Sequence, residues 1–438
     1  MSILDSIQVA SGQSFQLISA VWQQGWFIFV PAVLLYMAYW YWLEYMAGEF
    51  IKSIKWVNIS IDVPAENEES PKVMEEFFNA IHSVQTKPNF LDRFWKGKVQ
   101  EWFSLEIVGI DGQVKFILRC PDYYKDLIEA HLYAQFPEVE VHQVEDYATA
   151  IPDKFKEAGY DLFGAEMVLT NKDFYPIRTY PFFEHQLTQR IIDPLSTLAE
   201  VMNKLKQGEQ IWIQFTIRPV NIEVMLAWPK KATEFVQGLM GKETPTTNPA
   251  ILEALGKAGD VASTVTGIGG EVAGAEESFP EAAFLMPPGQ RKVVEAIERN
   301  VAKQAFEFKC RLVYVARKEL FDKRRFNAAM GAFKQFNSYD MNGFKPYTAT
   351  FTKVNYFFAK PRVFARQKKL LRGYKTRSWA VGTKPAILTS ESLASLFHIP
   401  HMTVKAPSMT RTLAKKGSAP SNLPIAEYGL GQAPPGIS

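Results

Sequence analysis

The sequence predicts an α+β protein in which one N-terminal transmembrane helix precedes a folded body. Three observations carry this. After Asp5 no Asp, Glu, Lys or Arg occurs until Glu44, and the gap holds the apolar run WFIFVPAVLLYMAYWYWL at 26–43. From residue 56 onward, two-residue alternation and helical periodicity take turns. Hydrophobic residues make up 47% and charged residues 22% of 438 residues, enough for a buried core and too apolar for a disordered chain. That length allows about two or three domains.

The apolar run is the first element. At about 1.5 Å per residue, about 20 residues cross a hydrocarbon core. A secretory signal would need a basic leading region and a small-residue cleavage site, and neither is present. Trp22 and Trp26 at one end, and Tyr39, Trp40, Tyr41, Trp42 and Tyr45 at the other, suit headgroup depth. Pro31 is a candidate kink. The leading side carries no Lys or Arg, whereas Lys52, Lys55, Lys87, Arg93, Lys96 and Lys98 follow. The positive-inside rule therefore puts the C-terminal body in the cytoplasm, beneath an inner membrane crossed once.

WVNISIDVP (56–64) alternates as a strand. SPKVMEEFFNAIHSV (70–84) is a helix opened by Pro71, with Val73, Phe77, Phe78, Ile81 and Val84 on one face. Residues 102–112 and 113–121 form a hairpin turned at Asp111-Gly112. A helix at 123–137 and a strand at 139–146 complete the order β-α-β-β-α-β, the ferredoxin-like arrangement. The second half repeats it. A strand or hairpin lies at 165–177, and a helix at 194–208 ends on Gly208. Strands at 210–220 and 306–317, a helix at 318–336 and a strand at 344–354 follow. Between its middle strands sits an insertion, 222–303, with a Gly/Ala/Thr/Glu-rich centre that reads as a long flexible loop. Order resumes in a helix opened by Pro287 and Pro288.

Catalytic signatures are missing from the sequence. Gly97-Lys98, Gly241-Lys242 and Gly256-Lys257 are followed by Val, Glu and Ala, so no phosphate-binding loop can reach Mg²⁺ through Ser or Thr. The glycines at 267, 269 and 270 have no preceding strand. Cys120 and Cys310 are far apart, which excludes a Cys-based zinc site and fits a reducing compartment. His398 and His401 lie three apart, but Pro400 intervenes and no Cys or acid is near. Glu145-Asp146 reads as a solvated strand end. No catalytic residue, cofactor or metal is expected, and the chain is read as a non-enzyme.

Charge distribution is the one strong signal. Between Lys353 and Arg377 nine residues are basic and none acidic. Lys360, Arg362, Arg366, Lys368, Lys369, Arg372, Lys375 and Arg377 are the candidate contacts to phosphate, on nucleic acid or anionic membrane lipid. Tyr356, Phe357, Phe358, Phe364, Tyr374 and Trp379 interleave with them. A solvated basic face or a protein-docking face would have the same composition.

Several segments carry a resemblance: IDVPAENEESPKVMEEFFNAIHSV, FSLEIVGIDGQVKFILRCP, IEAHLYAQFPEVEVHQVEDY, LMPPGQRKVVEAIERNVAKQAFEFKCRLVYVARKELFD, FKQFNSYDMNGFKPY, LTSESLASLFHIP and the linker-like KKGSAPSNLP. The chain resembles the N-terminal, membrane-anchored region of type IV secretion or conjugative coupling ATPases of candidate-phyla bacteria. In that family a motor domain with a phosphate-binding loop commonly follows; no such loop occurs within these 438 residues.

The expected layout is an extracytoplasmic segment (1–23), a transmembrane helix (24–46), two ferredoxin-like units (56–150 and 160–380), and a linker with a C-terminal tail (381–438). The resemblance implies a non-catalytic membrane component of a DNA- or protein-translocating machine that anchors or orients a separate motor ATPase. Secretion-machine subunits, lipid, DNA and a second copy of the chain are the expected partners. The alternative is a structural scaffold of an envelope or pilus assembly without nucleic-acid contact.

Overall fold

Four strands of each half assemble side by side, and the two sets join into one sheet. The computed structural model describes residues 3–64, 67, 69–183, 193–239, 287–354, 357–400 and 411–412. The Gly-rich centre of the insertion, Tyr356, His401 and the tail beyond 412 lie outside them.

In the first half, β1 (Trp56–Pro64) lies between β4 (Glu140–Val144) and β3 (Gln113–Pro121), and β3 pairs with β2 (Phe103–Ile110), all antiparallel. The β2–β3 turn works as its sequence requires: Asp111 and Gly112 both have positive φ, 52° and 85°. In the second half, β7 (Ala305–Arg317) lies between β6 (Glu209–Pro219) and β5 (Tyr160–Leu169), and β5 pairs with β8 (Phe344–Pro346). The halves meet where β2 pairs antiparallel with β6, from Phe103↔Ile217 to Ile110↔Gln210. Both halves thus run outward from this seam in the same order, and the two second strands form the centre of an order β4-β1-β3-β2-β6-β7-β5-β8.

One face of the sheet is covered by α2 (Pro71–His82), α4 (Lys125–Gln135), α5 (Leu195–Asn203) and α8 (Lys323–Phe333), which bury Phe77, Phe78, Ile128, Leu132, Leu198, Met202, Phe326 and Phe333. Ser70 caps α2 by accepting from the Lys72 N–H, with Pro71 in the first turn. Asp322 does the same for α8, which starts later than its sequence periodicity suggests because residues 318–322 form the turn. Gly208 does not end α5, which stops at Asn203; it takes φ 91° in the turn leading into β6.

Three further departures have local causes. The last strand of the second half is three residues long because Pro346 removes a ladder donor; the Thr350 and Thr352 hydroxyls then accept from the Glu166 and Gly164 N–H groups of β5. The insertion's first flank is a helix, α6 (Ile222–Leu239), which packs through Trp228 and Val236 with Ile297 of the expected helix α7 (Pro288–Val301), beside Phe174. The segment expected to begin the linker is core. There β9 (Ala386–Thr389) pairs with β7, and α10 (Ser390–Leu396) is buried at every residue against α2.

The helix α1 (Ile3–Ser53) runs unbroken through Pro31, and its stretch Phe27–Ser53 is long and apolar enough to cross a membrane. Its side chains from Phe27 to Tyr41 are exposed except for the half-buried Val30, whereas Leu43 is buried. Contact with the body begins at that end, through α3 (Phe90–Trp95): Trp42 donates its indole N–H to the Phe94 carbonyl at 2.8 Å.

Candidate functional site

The basic run folds into α9 (Ala359–Lys375), which lies on the sheet face opposite α2, α4, α5 and α8. Its helical spacing places Gln367, Leu370, Leu371 and Tyr374 inward. Leu370, Leu371 and Tyr374 pack with Val108, Trp212 and Val313 of the central strands. Lys360, Arg362, Lys368, Lys369 and Arg372 are exposed on the outer side. Arg372 and Lys375 fall in the last turn, where cations favour the helix dipole.

Of the eight expected contacts, Arg366, Lys375 and Arg377 are tied to other parts of the protein as follows. Arg366 donates to the Thr348 and Phe351 carbonyls at 3.0 and 2.8 Å, clamping the turn after β8. Lys375 pairs with Asp153 at 2.7 Å. Arg377 is not a surface residue: it is 1% exposed, and its backbone is left-handed at φ 48° just past the helix. That conformation disfavours a side chain with a Cβ, yet it turns the guanidinium inward. Nε and Nη2 reach the two Glu106 oxygens at 2.9 and 3.0 Å, and the same group also holds Asp146. The aromatics divide likewise: Phe357 and Phe358 are exposed, whereas Tyr374 is fully buried.

Beneath α9 runs a row of polar side chains on four neighbouring strands. Glu106 of β2 faces Gln214 of β6, Gln214 faces Arg311 of β7, and Arg311 faces Glu166 of β5. Their contacts are continuous: Gln214 donates to Glu106 at 3.0 Å, Arg311 to Gln214 at 2.8 Å, and Arg311 to Glu166 at 3.1 Å. The row grips the helix end from below. Gln214 donates to the Tyr374 carbonyl at 3.1 Å, and Arg311 to the Ser378 and Val381 carbonyls at 2.7 and 2.8 Å. Gly382, at φ 106°, has no room for a Cβ, which would lie 1.8 Å from Glu166 Oε1.

Glu106 is fully buried, and burial alone would push its carboxyl up. The charge and hydrogen bonds of Arg377, with donors on Ser104 and Tyr147, outweigh this and hold it below the usual carboxylate value. Tyr147 and Tyr374, joined at 2.6 Å, are driven well above the ordinary phenol value by burial and by Glu106. All these groups are satisfied by one another, which suits them to holding a helix in place.

The chain belongs to the family of the domain of unknown function DUF8128. The family profile matches residues 47–412, from the last turns of α1 through β10 (Arg411–Thr412), and leaves most of the apolar span outside. No curated protein matches the chain.

In this DUF8128 body, the sequence pattern located the outward cations of α9 but not what secures them. The available signal was a charged or amide residue within the largely apolar middle of each strand: Glu106 in FSLEIVGI, Glu166 in YDLFGAEMVL, Gln214 in EQIWIQFTIRP and Arg311 in AFEFKCRLVYVAR. Asp146 is no solvated strand end, since it caps the turn at Ala148 and pairs with Arg377 and Arg119. His398 is buried, with its ring nitrogens facing Asp193 at 3.1 Å and the Ala394 carbonyl at 2.9 Å. Among the described residues, no three His, Cys, Asp or Glu side chains cluster in a way that could hold a metal ion.

Proposed function

We propose that this chain is a non-catalytic, single-pass membrane component whose cytoplasmic body presents a basic helix to a phosphate-bearing partner. The observation that carries the reading is the pairing of two features. A candidate span continues without a break into the folded body. On that body, the outward cations of α9 sit on a helix secured from beneath by buried ion pairs. We read the two halves as ferredoxin-like units, supported by the shared outward strand order.

The resemblance of the sequence segments supports reading this component as part of a type IV secretion or conjugation-like machine of the inner membrane. There it would anchor or orient a separate motor ATPase and touch translocating DNA. The orientation rests on the Lys and Arg that follow the span. A reporter fused after Ser438 that is active only outside the cytoplasm should stay silent; activity would reverse the topology.

The contact is tested with the full chain in detergent and short single- and double-stranded DNA. Each phosphate contact releases counterions, so binding should weaken steeply as salt rises. Replacing Lys360, Lys368, Lys369 and Arg372 by Ala should abolish it, while Arg366 and Arg377 are left intact because they hold backbone and buried acids. DNA binding that survives this change would locate the contact elsewhere. No DNA binding at low salt would favour the scaffold of an envelope or pilus assembly.

A further inference from the structure

The segment between α2 and β2 contains a short helix with no role in the core. None of the α3 residues is buried. Phe90, Leu91 and Trp95 are 64%, 65% and 62% exposed. At about 100° per residue, Phe90, Phe94, Leu91 and Trp95 fall within one arc, and Asp92 and Arg93 on the other side. A soluble surface rarely groups large apolar side chains in this way.

Its position supplies the reason. The helix is stacked on the end of the candidate span, where the aromatic residues lie. Phe94 stacks on Tyr39 at 6.1 Å and packs on Trp42 at 6.0 Å, and Trp95 meets Trp42 edge-on at 6.4 Å. Gly97, at φ 64°, lets the following turn touch α1; a Cβ there would lie 2.0 Å from the Met46 carbonyl oxygen. The flanking segment 87–98 carries Lys87, Arg93, Lys96 and Lys98 against one acid, Asp92. Three of these cations, with Arg218, line a cleft of about 470 Å³ behind the helix, where Glu223 and Glu307 pair with Lys87 and Arg218.

We propose that Phe90–Trp95 is an interfacial membrane helix. Phe90, Leu91 and Trp95 enter the headgroup–acyl boundary of the leaflet that receives the end of the span, and the surrounding cations lie at headgroup level. Apolar rings beside a rim of Lys and Arg are the composition of such elements. Clamping this helix to α1 through Trp42, Phe94 and Gly97 sets both the depth of the span and the tilt of the body. The inference rests on the membrane reading of α1.

The test uses the full chain in vesicles of phosphatidylcholine and phosphatidylglycerol, with an environment-sensitive fluorophore on single introduced cysteines. Cys120 and Cys310 are buried and do not compete for the label. Three positions are compared: Leu35→Cys within the span, Leu91→Cys on α3, and Glu319→Cys just past the C-terminal end of β7, the end of the sheet away from α3. The expected result is quenching of the Leu91 label by lipids spin-labelled high on the acyl chain, a blue shift, and several-fold protection from aqueous iodide relative to the Glu319 label. The Leu35 label should respond to deep spin labels. A Leu91 label as open to iodide as Glu319, with Leu35 still in lipid, overturns the interfacial helix and leaves the span standing. A Leu35 label open to iodide overturns both.

Discussion

Arg377 and Glu106, 271 residues apart in sequence, meet in a two-pronged ion pair at 2.9 and 3.0 Å, with both side chains almost wholly removed from water. Glu106 sits mid-strand in β2, and Arg377 lies just past the end of α9. The pair therefore ties the basic helix to the seam where the two halves of the sheet join. Forked geometry and additional donors are the conditions under which such a buried pair is tolerated.

Removing one partner should be costly. Arg377→Met strands the Glu106 charge, and the expected loss is about 3–5 kcal/mol. Adding Glu106→Gln removes that charge and should return part of the loss. Thermal unfolding of the two variants in detergent measures this. Equal stability of Arg377→Met and the parent would show that the pair does not hold the helix.

Acid should release the same lock. Glu106 is held below its unfolded value of about 4.3. A carboxyl depressed in the folded state contributes stability that is present above the unfolded value and is lost as pH falls through the folded one. The expected outcome is a loss of stability that begins near pH 4 and continues below it, accompanied by faster proteolysis of the 376–385 turn. Glu106→Gln should flatten that acid limb. An unchanged limb in the variant would assign acid sensitivity to other carboxyls.

The two thiols should behave as inert core groups. Burial raises Cys120 to about 12, and burial raises Cys310 further still. A thiol raised in the folded state has no adverse effect below the unfolded value of about 8.5, and costs stability as pH climbs above it, because the unfolded thiol then ionises and the buried one does not. The native chain should resist a thiol reagent at pH 8 and react fully in denaturant. Rapid reaction of either cysteine without denaturant would show that the core opens locally.

Gly97 should control the coupling between α1 and the body. Gly97→Val adds both strain at positive φ and a collision with the Met46 carbonyl. The expected result is a loss of the Trp42–Phe94 contact, read as increased hydrogen exchange in 90–98, with the sheet unaffected. Exchange that stays unchanged would mean that the turn accommodates the side chain.

How far the sequence leads depends on the distance over which each feature is decided. The β2–β3 hairpin was legible because Asp111-Gly112 carries its own turn geometry. The same holds for α2, whose cap and inward face are written within twelve residues. The outward cations of α9 were legible from composition, but the removal of Arg377 from that surface was not, because its partners Glu106 and Asp146 are remote in sequence. Residues 386–400 read as the start of a linker, since a short strand and helix give little periodicity. They are core because β7 offers them an edge and α2 a face.

By itself, the sequence determined the apolar span, the two runs of strands and helices, and the single-signed charge of 353–377. These follow from local composition and periodicity, which need no partner. Only the tertiary structure decided that β2 pairs with β6 to make the two halves one sheet, and that a polar row on four strands grips α9. It also decided that α3 lies against the end of the span. Each of these is a pairing of surfaces far apart along the chain, and the free energy of burying a charge or a ring exists only when both surfaces are present.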